Sequence, residues 1–244
     1  MYQQDILAML DVLREYPGDA CLPIGHANYL FKTDGILWAM DPAHREYEIP
    51  ALPGVEFVLL THEHDDHYQP ATLLKLAGAG CRILGPDFLP GIRDIPGAEC
   101  VSPGDTISMG SLTIRVLPAH HYDEGTDIGV PEVAYRVETP SLSMAFPGDV
   151  RDYTMPFPMR DPNWLFAHVW LGRRNALNLP CEPWLGKAGR FFADIHARHV
   201  VLAHLNDATR ISEDRWTDAH ADLLRDYLPG AICAVPLCIL PLSI

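Results

Sequence analysis

The chain has 244 residues, 48% hydrophobic and 20% charged, which is ordinary for a soluble globular protein and enough for one large domain or two small ones. Its formal net charge of −14 disfavours nucleic acid and anionic membrane as partners, because both are polyanionic. No stretch reaches the ~18 apolar residues of a membrane span, and the amino terminus lacks the basic-then-apolar pattern of a signal peptide.

The first helix is expected over residues 3–15, where Ile6, Leu7, Leu10 and Leu13 recur at helical spacing before Pro17-Gly18 stops it. Three short strands follow near 21–24, 28–32 and 36–40, the last two joined by a Thr33-Asp34-Gly35 turn. Asp41-Pro42 closes the third. Residues 55–60 are apolar and partly β-branched and read as a buried strand. Directly after them comes Thr61-His62-Glu63-His64-Asp65-Asp66-His67, then Pro70 at the first turn of a helix over 71–77. Strands are expected at 81–84, 100–101, 106–109 and 112–117, with a turn or short helix at 87–91. The last of these strands delivers His120 and His121.

Residues 122–131 form a polar loop beside that histidine pair. A hairpin at 132–138 and 142–146 leads to Gly148-Asp149, where glycine permits a tight turn. A strand over 164–171 contains His168, read as a core residue, and runs into Arg173 and Arg174. A helix over 183–193, a strand over 198–203 ending at His204, and a long helix over 212–227 capped by Ser212 complete the series. The tail from 231 to 244 is too apolar to stay in water and is expected to pack on the domain or on a second subunit, giving a possible homo-oligomer. Six cysteines at 21, 81, 100, 181, 233 and 238 include no C-x-x-C pair, as expected of reduced thiols in a cytoplasmic protein.

Imidazoles and carboxylates packed into one loop at the end of a strand suit a borderline-soft divalent metal. His62 and His64 alternate and can reach one ion, while Asp66 and His67 lie further round and can reach a second. This H-x-H-x-D-H stretch resembles the signature of the metallo-β-lactamase fold superfamily. Gly25-His26-Ala27-Asn28 with Asp41-Pro42 is similar to the opening of a branch containing ascorbate-6-phosphate lactonase-like proteins and N-acyl phosphatidylethanolamine phospholipase D. Leu117 to His121, Phe146 to Asp149 and Val201 to Leu205 resemble the later ligand segments, in order.

The resemblance implies an α/β fold: a four-layer α/β/β/α sandwich of two packed mixed sheets with outer helices, read as one domain over 1–244. It implies a binuclear metal-dependent hydrolase with two divalent ions, zinc first, manganese or iron as alternatives. One ion is expected on His62, His64 and His121, the other on Asp66, His67 and His204, with Asp149 shared. Between the adjacent histidines, the family's A-x-H spacing selects His121. Asp66 is the expected catalytic carboxylate, orienting water and moving its proton. Asp41 is expected to brace the metal loop. His26, His120, Arg173 and Arg174 are candidates for substrate contact, and the substrate is expected to be a small, anionic ester, lactone or phosphoester. The alternative on the same fold is an iron-dependent oxidoreductase resembling a sulfur dioxygenase.

Overall fold

The computed structural model describes residues 2–242. In chain order its strands are β1 (Ala20–Pro23), β2 (Tyr29–Thr33), β3 (Ile36–Met40), β4 (Phe57–Leu59), β5 (Arg82–Pro86), β6 (Ala98–Val101), β7 (Thr106–Met109), β8 (Leu112–Pro118), β9 (Val133–Glu138), β10 (Ser143–Phe146), β11 (Trp164–His168), β12 (His199–Ala203), β13 (Ile232–Cys233) and β14 (Leu240–Pro241). They form two seven-stranded sheets, ordered β14-β1-β2-β3-β4-β5-β6 and β13-β12-β11-β10-β9-β8-β7. Both sheets are mixed. In the first, the β1–β2–β3 meander is antiparallel and β3, β4, β5 and β6 run parallel. In the second, the antiparallel β9–β10 hairpin leads into a parallel run of β10, β11, β12 and β13. Parallel strands end together, so side chains just beyond β3 and β4, or beyond β10, β11 and β12, gather at one sheet edge.

The chain divides into two compact units, residues 2–113 with 235–242, and residues 114–234. Each has its own apolar core. Helix α1 (Tyr2–Glu15) buries Ile6, Leu10 and Leu13 as its spacing predicts, and these join Leu22, Leu30, Val58, Leu60 and Ile83. Helix α2 (Pro70–Gly78) adds Leu73 and Leu76, with proline in its first turn where no intrahelical donor is lost. In the second unit, α3 (Trp184–Asp194) places Phe191 and Phe192 on Leu165, Leu202 and Trp216. Full burial of such a side chain contributes about 1.5–3 kcal/mol. Among the described residues no helix is long and apolar enough to cross a membrane.

Two expectations change. Strand β11 stops at His168, and the residues that follow form a loop tied by Val169 N–H to the Ala203 carbonyl at 3.0 Å. The turn expected at 87–91 forms there, and a 3-10 turn follows it at Ile92–Asp94. The single helix expected over 212–227 is a 3-10 turn (Ser212–Asp214) and a separate helix, α4 (Asp218–Leu224). The break has a cause: the Trp216 carbonyl accepts the Asn206 N–H at 2.7 Å, and Thr217, not Ser212, caps α4 in a reciprocal box with His220. The apolar tail does pack, pairing with β12 through β13 and with β1 through β14; Ser243 and Ile244 lie outside the described residues.

Candidate metal centre

In the first unit the H-x-H-x-D-H loop leaves β4 and is built around Asp41, which is fully buried just past β3. Asp41 sits in left-handed backbone, φ 46°, a conformation aspartate tolerates better than most residues. Its carboxylate accepts the Thr61 N–H at 2.8 Å, the Thr61 hydroxyl at 2.7 Å and His67 Nδ1–H at 2.9 Å. Thr61 Oγ1, having given its proton to Asp41, accepts from His62 Nδ1 at 3.0 Å. Both imidazoles therefore carry their proton on Nδ1 and present Nε2 as a lone pair. His62 Nε2 lies 3.1 Å from His64 Nδ1.

Asn28 ties the loop to the strand end, donating to the carbonyls of Asp41 and Asp66, each at 2.6 Å. Gly25 makes room for it, since a Cβ there would fall 2.2 Å from Asn28 Oδ1. Arg45 holds Asp65 at 2.7 Å and Asp66 at 3.0 Å. Glu63 is exposed, pointing off the loop as the alternation predicts.

In the second unit Asp149 follows β10, His168 ends β11 and His204 follows β12, so the parallel run brings all three to one edge. His204 also takes left-handed backbone, φ 65°. Asp149 Oδ1 accepts from His168 Nδ1 at 2.7 Å, and its Oδ2 is 3.4 Å from His204 Nε2. Arg210 Nη2 lies 3.1 Å from that same Nε2. A guanidinium only donates, so His204 Nε2 is a lone pair. His121 is 1% exposed, its Nδ1 3.8 Å from Glu132 Oε1. Glu132 accepts the Asp149 N–H at 2.9 Å. Gly148, φ 84°, is needed here, because a Cβ would fall 2.4 Å from Glu132 Oε1.

These donor sets fit a divalent ion. Two ligand atoms bound at about 2.0–2.1 Å in a tetrahedron lie about 3.3–3.4 Å apart. His62 and His64 in one unit, and Asp149 and His204 in the other, present buried or half-buried donors at 3.1 and 3.4 Å. Histidine nitrogens and carboxylate oxygens suit zinc, manganese or iron.

The substrate candidates fare differently. His26 is half-buried, its ring 6.4 Å from that of His44. His120 is half-buried, and burial holds its pKa below the usual imidazole value. Its carbonyl accepts from the N–H groups of Arg151 and Asp152. Arg173 is paired with Asp123 at 2.8 Å. Arg174 is exposed, its backbone N–H on Asp214. Sequence reasoning placed Asn28 in a motif without giving it a part, missed Glu132, Arg151 and Arg210, and took His168 for core packing alone. Gly25 and Gly148 were the available signal for two of these, each lying against the polar side chain that it admits.

A family model described as a beta-lactamase superfamily domain matches residues 23–156. A UPF0173 protein of Pyrococcus abyssi is 32% identical over 101 residues, covering 40% of this chain and 47% of that protein. Ribonuclease Z of Methanopyrus kandleri is 37% identical over 101 residues, covering 36% of this chain and 33% of that enzyme. The chain thus spans less than half the length of these relatives. Among solved structures, a metallo hydrolase of Ignicoccus hospitalis aligns with TM-score 0.66 at 15% identity, covering 91% of this chain and 98% of that one. CmlA, a diiron β-hydroxylase of Streptomyces venezuelae, aligns with TM-score 0.66 at 19% identity, covering 91% of this chain and 54% of that one. At such identities these likenesses show the fold.

Proposed function

The chain belongs to the metallo-β-lactamase superfamily, and from that premise we propose that it is a binuclear metal-dependent hydrolase of a small ester, lactone or phosphoester. The observation that carries this reading is the buried donor set of each unit, with His62 and His67 held as Nε2 donors by Thr61 and Asp41. In this reading His62, His64 and His121 hold one ion, Asp66, His67 and His204 the other, and Asp149 is shared. Divalent metal bound there supplies Lewis acidity and lowers the pKa of bound water toward 7.

The chain's own groups do the rest. Asp66, held by Arg45, orients the attacking water and carries a proton toward the leaving group. Asp41 fixes the His67 ring, and Glu132 fixes the backbone at Asp149, so neither ligand reorients during turnover. The Gly25-His26-Ala27-Asn28 opening supports lactonase-like and phosphodiesterase-like substrates, with Asn28 in a structural part. The charge of −14 supports a small anionic molecule over RNA or a membrane surface, and a cytoplasmic setting agrees with six free cysteines.

The second reading, an iron-dependent oxidoreductase, is supported by the likeness to a diiron hydroxylase. Against it stands His64, at a position where resemblance to the iron-using branch would imply glutamate. Elemental analysis of protein purified without added metal separates the two. Zinc or manganese near two equivalents, with turnover in a panel of lactones, phosphodiesters and thioesters, is expected. Iron with oxygen uptake would replace this reading by the second, and cleavage of structured RNA alone would remove the substrate class.

A further inference from the structure

Arg151 is 9% exposed. A guanidinium brings five N–H donors, and burying it with few acceptors is costly. Among the described residues its side chain meets one carboxylate, Asp123, at 3.5 Å, and the face of Trp170, with Cζ 5.9 Å from the ring centroid. Its Nε is buried with no hydrogen-bond acceptor. A charge-assisted bond is about 2.7–2.9 Å long, so the Asp123 contact is a poor fit. The other Asp123 oxygen is taken at 2.8 Å by Arg173. Two guanidiniums share one carboxylate, leaving a surplus positive charge and unfilled donors.

Asp123 belongs to the loop that follows His121, and the next residue of that loop, Glu124, pairs with Lys187 at 2.5 Å. Lys187 Nζ lies 4.8 Å from the Trp184 ring centroid, and Trp184 meets Trp170 edge-on at 4.9 Å. Two adjacent acids of the loop, Asp123 and Glu124, therefore grip the two ends of a row: Arg151, Trp170, Trp184, Lys187. Gly172, φ 94°, admits Trp184, since a Cβ would fall 2.4 Å from its Cδ1. The Arg151 end adjoins the ligands. It lies two residues past Asp149, and its N–H bonds the His120 carbonyl. Tyr153, whose phenol is raised mainly by burial, is pushed further up by Asp149 and back down by Arg151.

We propose that Arg151, with Arg173 beside it, anchors an oxyanion of the substrate, a carboxylate or a phosphate, and that Asp123 occupies this anchor until the substrate arrives. An incoming oxyanion can approach the guanidinium at full hydrogen-bond distance, which the tethered Asp123 does not achieve. The proposal rests on the hydrolase reading for the source of the oxyanion. It places anion recognition on Arg151 and Arg173 and leaves Arg174 out.

The test uses the full chain as purified, titrated calorimetrically with inorganic phosphate and, separately, with acetate. D123N removes the resident carboxylate charge and is expected to tighten binding about tenfold, and R151Q to weaken it at least as much. E124Q loosens the same loop at its other tie, a half-buried pair that does not touch Arg151, and is expected to change affinity less than about twofold. R151K, which keeps the charge without the fork, is expected between wild type and R151Q, so a poorly folded R151Q does not decide the matter. The ratio of phosphate to acetate affinity tells which oxyanion the anchor fits. D123N binding no tighter than E124Q, or R151K and R151Q both binding like wild type, would overturn the proposal. Metal content and turnover of a neutral ester by the wild type are read separately, so failure of the hydrolase reading is distinguishable from failure of the anchor.

Discussion

The two units solve the same problem with different grips. In the first, one fully buried carboxylate, Asp41, holds side chains: the Thr61 hydroxyl and the His67 ring. In the second, Glu132 holds a backbone N–H, that of Asp149, while a neighbouring imidazole, His168, steadies the Asp149 carboxylate. Both place a non-glycine residue in left-handed backbone just past a parallel strand, Asp41 after β3 and His204 after β12. Both also use a glycine to admit a polar side chain, Gly25 for Asn28 and Gly148 for Glu132. Ligands that follow one another along a loop need their rings fixed. Ligands that come from separate strands need their backbones fixed.

The largest effect is expected where one residue serves most of its unit. Asp149→Ala should stay folded by circular dichroism yet lose bound metal and more than about 100-fold in turnover, exceeding the cost of losing an outer hydrogen-bonding partner. Full metal occupancy in that variant would end its role as the shared carboxylate. His121→Ala is expected to lose metal affinity on the same scale, and His120→Ala by less than about tenfold. Metal analysis of the two variants decides between the adjacent histidines, and retention of metal by His121→Ala alone would reverse the assignment.

The grips come next. Asp41→Ala removes the acceptor of three buried hydrogen bonds and should destabilise the metal-free protein by on the order of 3 kcal/mol in urea unfolding. A loss under about 1 kcal/mol would mean that water replaces the carboxylate. Gly148→Ala combines positive φ with a clash on Glu132 and is expected to cost roughly 2–3 kcal/mol. Gly35→Ala, φ 81° with nothing near the added carbon, should cost about 1 kcal/mol from backbone strain alone. Equal losses in the two glycine variants would show that Glu132 yields freely.

The smallest effect belongs to the second unit alone. His220 accepts the Thr217 N–H on Nδ1 at 2.9 Å and donates from Nε2 to the Ala176 carbonyl at 3.0 Å, a pattern only the neutral ring satisfies. Burial is the largest influence on its pKa and lowers it. The unfolded chain therefore takes up this proton first, and stability present at neutral pH declines as pH falls below about 6.5. Replacing His220 with glutamine should cost about 1 kcal/mol at pH 7 and flatten that decline. An unchanged slope in acid would assign it elsewhere.

Much of this was legible in the sequence because it is local. His62, His64, Asp66 and His67 fall within six residues after an apolar strand, and Pro70 marks the helix start. The antiparallel turn at Asp34-Gly35 announces itself in the same way. What stayed hidden depends on pairing between distant segments. His168 reads as one more buried strand residue until β11 is laid beside β10 and β12. Glu132 looks like the polar start of a hairpin until Gly148 returns beneath it. The 212–227 segment has helical apolar spacing, but Asn206 claims the Trp216 carbonyl, and no pattern within the segment records that claim.

The short strand β14 carries a consequence for synthesis. It covers β1 through Ala20↔Pro241 and Cys21↔Leu240. A ribosome must therefore translate the whole second unit before the first sheet can close that edge. During this interval β1 offers bare N–H and C=O groups on one side, with Leu22 and the apolar rows of β2 and β3 behind it. At ordinary elongation rates of roughly 5–20 residues per second, the exposure lasts about ten seconds or more. The nascent first unit is then a natural client for a chaperone, and shortening the chain before residue 240 would make that transient edge permanent.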